Sequence, residues 1–108
     1  MEQLILVINP GSTSTKLAVY QNDQLVQATS LHHTSEELSE FGEVVDQREF
    51  RERLIVAWLK EQGLELSSLT AIVARGGLLA PMVGGTYYVN ELMVKELEQG
   101  AYGKHAAN

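Results

Sequence analysis

The sequence predicts an α/β domain with a mixed sheet, in which an antiparallel meander of three strands is followed by a crossover helix and a fourth strand. The first observation is an apolar run at residues 4–8, followed by two further strand-like runs joined by short turns. The second is a helical pattern over residues 46–63, and the third is a short apolar run at residues 69–74. A strand, a helix and a strand at this separation predict a crossover onto the same sheet, with the last strand parallel to the first.

The meander is predicted from hydrophobicity and turn residues. Residues 4–8 are apolar at every position, which is typical of a strand covered on both faces. A second strand is expected at residues 17–20, and the turn at residues 21–23 leads to a third strand from residue 24 to about residue 33. The acidic stretch at residues 34–45 predicts a loop or a short exposed helix.

The central helix is predicted from its caps and its apolar face. Asp46 is a suitable N-cap, Glu49 can complete a capping box with it, and Gly63 suits the left-handed residue that ends a helix. Apolar residues at helical spacing form the face expected to be buried: Phe50, Leu54, Ile55, Trp58 and Leu59. Charged residues are expected outside that face: Arg48, Arg51, Glu52 and Lys60.

The C-terminal third predicts one short strand and one more helix. A turn at residues 84–86 precedes a short strand at residues 87–89. Asn90 is expected to cap a helix over residues 91–99, which Gly100 ends.

Composition limits the classes of function. The 108 residues suit one domain, and Asp and Glu outnumber Lys and Arg by 14 to 8, for a formal net charge of −6. Because no basic cluster is visible, no nucleic-acid partner is expected. The absence of cysteine excludes disulfides and thiolate chemistry. No secretory signal and no membrane-spanning stretch is recognisable, so we expect a cytoplasmic protein without a membrane partner.

The turn after the first strand is the most informative stretch for function. It runs from Asn9 to Lys16 and carries four consecutive hydroxyl residues, Ser12, Thr13, Ser14 and Thr15. Hydroxyls, backbone N–H groups and an ammonium can hold one phosphoryl group from several directions. The pattern is not a Walker A loop, which requires a Gly-Lys pair at fixed spacing and a following helix. A plain hairpin turn remains the alternative, because Asn, Pro, Gly and Ser are common turn residues.

A second candidate site follows the fourth predicted strand. Arg75 stands at the strand end, where open α/β sheets gather their ligands. Gly76 and Gly77 would let an anionic substrate approach the backbone, and Pro81 and residues 84–85 shape the same neighbourhood. The alternative is a surface arginine in a turn.

The histidines and acidic residues predict little chemistry by themselves. His32 and His33 end a strand, where we expect them to be solvated, and neighbouring strand residues point to opposite faces, which does not suit a metal site. His105 is isolated, and residues 35–43 are expected to form a solvated acidic face. No pair of carboxylates is arranged for acid–base catalysis.

Three motifs together resemble the butyrate kinases. They are NPGSTSTK after an apolar strand, AIVARGGLLAPMVGGTYYVN, and the closing GKHAAN. The helical segment FRERLIVAWLKEQGLELSSLTAIVARGG also resembles that family. Butyrate kinases are grouped with acetate kinase in the acetate/sugar kinase and actin-like superfamily, whose lobes have a ribonuclease H-like fold. The resemblance therefore implies that residues 1–108 are an incomplete first lobe of a two-lobed carboxylate kinase.

The resemblance also implies a reaction and its ligands. It is the reversible transfer of a phosphoryl group from ATP to butyrate or a related short- or branched-chain carboxylate, giving an acyl phosphate and ADP with Mg²⁺. The partners are then a small carboxylate and a nucleotide, and the full-length protein is expected to be a homo-oligomer. We expect this chain alone to be inactive. A non-catalytic interaction or structural module derived from a truncated lobe is the alternative.

Site residues follow from the matching motif positions. Asn9 would orient the phosphoryl group and the water shell of Mg²⁺, with no direct metal ligand. The phosphate-binding positions implied are Ser12, Thr13, Ser14 and Lys16. Arg75 would stabilise the carboxylate or the transferring group. The remaining positions implied are Gly76, Gly77 and Pro81 along the acyl site and His105 in support of the phosphoryl group.

Overall fold

The centre of the computed structural model, which describes residues 2–105 and 107–108, is a four-stranded sheet with the order β3-β2-β1-β4. The strands are β1 (Leu4–Pro10), β2 (Ser14–Gln21), β3 (Gln24–His32) and β4 (Ala71–Ala74). The pairs β1–β2 and β2–β3 are antiparallel, and β4 pairs with β1 in parallel. The predicted meander and parallel fourth strand are therefore confirmed. Met1, in the N-terminal segment without a recognisable secretory signal, and Ala106, in the GKHAAN motif, lie outside the described residues.

Three α-helices and two short 3₁₀ turns connect and follow the strands. The helices are α1 (Ser35–Ser39), α2 (Arg48–Glu61) and α3 (Glu91–Gln99), and the 3₁₀ turns span Val44–Gln47 and Leu66–Ser68. Helix α1 is the short exposed helix expected in the acidic stretch, and Thr34 and Glu37 form a capping box at its start. Asn90 caps α3 by accepting from Met93 N, and Gly100 ends it with φ +64°.

The start of α2 differs from the prediction. Asp46 lies in the preceding 3₁₀ turn, where its Oδ2 accepts from Glu43 N at 3.1 Å, and the N-cap position of α2 is Gln47, without a side-chain cap. The prediction of an Asp46–Glu49 capping box is therefore wrong, because the chain is already coiled before Asp46. The end of the helix is as expected, since Gly63 has φ +75°.

The hydrophobic core lies between α2 and one face of β1 and β2. Leu6 of β1 pairs with Val19 of β2 in the register, which places both side chains on the same face. The buried apolar residues among those described are Leu6, Leu17, Val19, Trp58 and Leu59. Helix α2 contributes Trp58 and Leu59 to this core, which confirms the apolar face predicted for the central helix.

The opposite face of the sheet is less covered than the sequence predicts. Leu6 is 1% exposed, whereas its neighbours Ile5 and Val7 are only partly buried, and every residue of β4 is exposed. The prediction that β1 is covered on both faces is therefore wrong for the described part of the chain, where the core cluster takes in Leu4, Leu6 and Ile8 but not the residues between them.

Residues 87–89 do not form the predicted strand. The side chain of Tyr88 is 99% exposed, and the Tyr87 hydroxyl donates to the carbonyl of Val83 within an irregular segment. Aromatic and β-branched residues favour a strand only where a neighbouring strand and a packed face are available. Among the helices in the described residues, none combines the length and the apolarity needed to cross a bilayer.

Candidate functional site

The turn between β1 and β2 forms the centre of the candidate site. It is closed by Gly11 N, which donates to Ser14 O at 2.7 Å. Ser12 and Thr13 are exposed and Ser14 is half-buried. A Cβ atom built on Gly11 would lie 3.2 Å from Ser14 Oγ, so a larger residue would crowd this hydroxyl. The turn therefore presents three consecutive hydroxyl residues on a tightly closed backbone.

The carbonyl groups of the turn are held by the protein. Arg51 donates from Nη2 to Ser12 O at 3.3 Å and from Nη1 to Ser14 O at 3.1 Å. Between them, Thr13 O accepts from His33 N at 2.8 Å. Within the described part of the chain, the N–H groups of Ser12 and Thr13 donate to no backbone acceptor. Free N–H donors beside exposed hydroxyls are the groups that an anion requires.

Three of the predicted site residues share one face of the sheet. Asn9 and Lys16 are directly paired in the β1–β2 register, and Ser14 lies two residues before Lys16 on the same strand. Since alternate residues of a strand share a face, these three lie on the face opposite to Thr15, Leu17 and α2. The sheet thus brings a carboxamide, a hydroxyl and an ammonium to the face that α2 does not cover.

Arg75 lies at the same end of the sheet. Its backbone N–H donates to Ile8 O at 3.0 Å, which places it beside the residue before Asn9, and it is exposed. Parallel strands bring their carboxyl ends to one edge, and β1 and β4 do so here. The second candidate motif therefore begins next to the turn.

Gly77, Pro81 and His105 are placed elsewhere. A Cβ atom on Gly77 would lie 2.8 Å from Leu97 Cδ2 and 2.9 Å from Asn108 Cα, so this glycine packs against α3 and the C-terminal segment. Pro81 is exposed in an irregular segment. His105 is exposed, its Nδ1 accepts from Ala107 N at 3.0 Å, and no hydrogen bond found among residues 2–105 and 107–108 joins it to the turn. Gly76 is exposed, with no atom within 4 Å of its built Cβ.

Arg51 was missed by sequence reasoning. It was expected outside the apolar face of α2, whereas its residue exposure is 7% and its guanidinium lies beneath the turn. It also donates from Nε and Nη2 to Gln47 Oε1, at 3.2 and 2.9 Å. The signal was present in the spacing, because residue 51 precedes Ile55 by four and Trp58 by seven and so lies on the buried face.

His33 was also assigned wrongly. It was expected to be solvated, but it is 4% exposed, and its Nε2 lies 2.8 Å from Oγ1 of Thr15, which is 1% exposed. It follows the partly buried Leu31 by two residues, so the strand alternation directs it towards the core side. Its ring packs edge-on against Phe50, with centroids 5.3 Å apart.

Three buried polar side chains form one hydrogen-bonded cluster. Arg51 Nη1 donates to Thr15 Oγ1 at 3.2 Å, and the same oxygen lies 2.8 Å from His33 Nε2. His33 Nδ1 has no hydrogen-bond partner in the described residues. Burial, and secondly the charge of Arg51, lowers the pKa of His33, so the imidazole is neutral near pH 7. Burial also lowers the pKa of Arg51, which nevertheless stays charged.

Comparison with known proteins gives the relationship of this chain. A scan against protein-family models found no match. The chain is 45% identical over 108 residues to a probable butyrate kinase of Clostridium botulinum, and 46% identical over 108 residues to butyrate kinase 2 of Clostridium acetobutylicum. The chain is a homologue of the butyrate kinases. A probable butyrate kinase of Listeria monocytogenes is 46% identical over 104 residues, which are 96% of this chain.

The resemblance inferred from the motifs is thereby confirmed along the whole chain. The matches cover 100% of the chain for the first two butyrate kinases but only 30% of the length of each relative, and 29% for the third. The chain therefore spans about 30% of the length of the curated butyrate kinases that it matches.

Proposed function

We propose that this chain forms part of the first lobe of a two-lobed carboxylate kinase and binds the phosphoryl group that passes between ATP and butyrate or a related short- or branched-chain carboxylate. The observation that carries the proposal is the turn after β1, in which the carbonyls of Ser12, Thr13 and Ser14 are bound by the protein while Ser12 and Thr13 are exposed. The homology to butyrate kinases supports the same reaction.

The proposed chemistry needs positioning and charge stabilisation more than proton transfer. A carboxylate oxygen attacks the γ-phosphorus of ATP, the new P–O bond gives an acyl phosphate, and the bond to the bridging oxygen breaks to release ADP. No proton is transferred, so no general base is required. The enzyme must hold the phosphoryl group in line and balance its charge.

The residues divide these tasks by their positions. Ser12, Thr13 and Ser14 offer hydroxyls to the phosphoryl oxygens, and Lys16 adds a positive charge on the face shared with Asn9. Arg75, at the end of β4, is proposed to bind the carboxylate of the substrate. The roles of Gly76, Gly77 and Pro81 in an acyl site and of His105 near the phosphoryl group remain predictions.

The fit to Mg²⁺ is indirect. The donors beside the turn are one carboxamide and several hydroxyls, and the described residues hold no group of three or more His, Asp or Glu side chains gathered for a metal. Such donors suit the water shell of an ion bound mainly by phosphate oxygens, with Asn9 as the contact. When bound with ATP, Mg²⁺ would neutralise part of the phosphate charge. A cytoplasmic location and a full-length homo-oligomer also remain predictions.

A chimera tests the proposed function. In butyrate kinase 2 of Clostridium acetobutylicum, the segment that matches this chain is replaced by residues 1–108, and butyryl phosphate formation from ATP and butyrate is measured. We expect the chimera to be active and the isolated chain to be inactive, because residues outside this chain must close the cleft around ATP.

The Ser14→Ala chimera is the matched site variant. We expect it to lose about tenfold or more in kcat/KM, the size of a lost hydrogen bond to a charged group. A folded but inactive chimera would contradict the proposed function. Rapid butyryl phosphate formation by the isolated chain would contradict the expectation that the site is completed elsewhere.

The exposed apolar surface favours a second candidate, an association module without catalysis. Ile72 and Val73 of β4 are 55% and 41% exposed, and Tyr88 and Val89 are 99% and 74% exposed. Apolar surface of this kind commonly marks a contact with another protein surface. Light scattering of the isolated chain measures this directly. A monomer at high concentration, together with phosphate-induced shifts of the amide signals of Ser12 to Ser14, would favour the kinase proposal.

A further inference from the structure

Arg51 is the residue that links the helix α2 to the turn over residues 11–13. We propose that Arg51 is a positioning residue for the bound phosphoryl group: it fixes the backbone of the turn from below and supplies a buried positive charge to the anion above. The proposal rests on the proposed function, because it assigns a role to Arg51 in the same phosphate site.

The first argument is geometric. Arg51 binds the carbonyls of Ser12 and Ser14 at 3.3 and 3.1 Å, while the intervening carbonyl of Thr13 is held by His33 N. In a trans peptide the C=O and the following N–H point in opposite directions. Holding Ser12 C=O towards Arg51 therefore directs the N–H of Thr13 away from it, towards the exposed side. Donors fixed in advance bind a developing charge without reorganisation.

The second argument concerns charge. The guanidinium makes five hydrogen bonds, and its acceptors are two carbonyls, the Thr15 hydroxyl and, twice, the Gln47 amide oxygen. All of these acceptors are neutral, and no carboxylate in the described residues forms an ion pair with Arg51. A charged group with a residue exposure of 7% is weakly screened by solvent. The positive charge of Arg51 therefore acts on the turn at close range.

The third argument concerns the surroundings of Arg51. Thr15 accepts from Arg51 and lies 2.8 Å from His33 Nε2, and because burial lowers the pKa of His33, the imidazole is neutral and adds no second charge. The amide of Gln47 fills the remaining position without cancelling the charge of Arg51. A carboxylate of the same size would make the same bonds and would cancel it. Gln47→Glu therefore separates the charge of Arg51 from its packing.

The experiment is a titration of the 108-residue chain with inorganic phosphate, followed by the amide signals of Ser12 to Ser14. We expect saturable shifts in the wild-type chain. Gln47→Glu should weaken phosphate binding by about threefold to tenfold, because a neutralised charge loses its attraction for the anion, while the free energy of unfolding is unchanged or raised. Gln24→Glu adds the same charge on exposed β3 and should bind phosphate like the wild type.

Removal of the guanidinium gives a second measurement. Arg51→Met should weaken phosphate binding by about tenfold or more, since it removes both the charge and the clamp. Arg53→Met is the matched control, because Arg53 is exposed on the same helix. Arg51→Lys should recover part of the affinity, because the ammonium keeps the charge but has only three donors.

Each outcome bears on one proposal. If the wild-type chain shows no phosphate-dependent shift at Ser12 to Ser14, the proposed function fails and the role of Arg51 fails with it. If the wild type binds and Gln47→Glu binds phosphate as tightly as Gln24→Glu, only the role of Arg51 is overturned. Should Arg51→Met not fold, Gln47→Glu still decides, because it keeps every hydrogen bond of the cluster.

Discussion

His33 is a neutral imidazole enclosed by Thr15 and Phe50, and its titration is coupled to folding. Its pKa is lowered from the ordinary value of 6.5 by burial first; Arg51 and His32 lower it further, and Glu37 opposes them. Below about pH 6.5 the unfolded chain therefore binds a proton that the folded chain does not, and stability falls as the pH is lowered. The contribution of His33 is complete above that pH and is lost as the pH falls through its folded pKa.

This gives a prediction at the residue scale. Between about pH 7.5 and pH 5.5 the free energy of unfolding, measured with urea, should fall in the wild type and fall less in His33→Gln. His32→Gln is the matched control, because His32 is exposed and is the smallest of the causes that act on His33, so most of the dependence should remain. Equal slopes in the wild type and in His33→Gln would show that His33 is not held neutral by its surroundings.

The burial of Arg51 and His33 could be read from their spacing, but the contacts that they make could not. Arg51 and His33 are polar, and both were expected to avoid the buried faces on which their spacing places them. The rule that charged residues are exposed fails where one turn supplies several acceptors to the same guanidinium. Such a cluster requires the turn, β3 and α2 to meet, and no local pattern contains that information.

At the scale of elements, the segment after β4 contains two adjacent glycines with different surroundings. Gly77 packs within 2.9 Å of Asn108 Cα and 2.8 Å of Leu97 Cδ2, measured from a built Cβ, whereas nothing lies within 4 Å of the same atom on Gly76. Gly77→Ala should destabilise the chain by about 1–3 kcal/mol, because a methyl group would displace α3 and the C-terminal segment. Gly76→Ala should change stability by less than about 0.5 kcal/mol.

Thermal unfolding measures the stability of both glycine variants, and the amide signals of α3 report whether the helix is displaced. If Gly77→Ala proves as stable as Gly76→Ala, with unchanged signals from Glu91–Gln99, the packing of Gly77 against α3 is not a stabilising contact. In the active chimera, the same pair also tests the predicted acyl site, since loss of activity in Gly76→Ala without loss of stability would place that residue at the substrate.

The elements themselves were largely predictable, with exceptions that have local causes. The meander, the parallel fourth strand and helix α3 follow from alternation, turn residues and caps, which act over short distances. The start of α2 was misplaced because a 3₁₀ turn continues into the helix and uses Asp46 for a different bond. Residues 87–89 have strand propensity but no strand beside them in the described part of the chain.

At the scale of the whole molecule, phosphate binding should stabilise the folded chain. A ligand that binds only the folded state adds RT ln(1 + [L]/Kd), which is about 2.7 kcal/mol at a concentration of 100 Kd. The melting temperature should therefore rise with inorganic phosphate more in the wild type than in Ser14→Ala, because the general stabilisation by phosphate acts equally on both. Gln47→Glu should need a higher phosphate concentration for the same rise. Equal rises in the wild type and in Ser14→Ala would contradict a specific site.

The net charge of −6 makes that expectation informative. An acidic chain repels phosphate on average, so non-specific attraction cannot produce the stabilisation. The sequence predicted the turn as the anion site from its hydroxyls and the ammonium of Lys16, but the buried positive charge beneath the turn comes from Arg51, which lies 39 residues beyond Ser12. The net charge of the chain and the charge at the turn thus have opposite signs, and only the fold brings Arg51 to the turn.

Because the carbonyl of Ser12 is bound by Arg51, the donor that the turn offers to an anion is the main-chain N–H of Thr13. A donor that belongs to the main chain cannot be removed by truncating a side chain, so Thr13→Ala keeps the N–H that Arg51 directs outward. Only an imino acid deletes it: Thr13→Pro removes the N–H while leaving the charge of the chain unchanged. Thr13→Pro should therefore weaken phosphate binding more than Thr13→Ala, which loses the hydroxyl but keeps the main-chain donor.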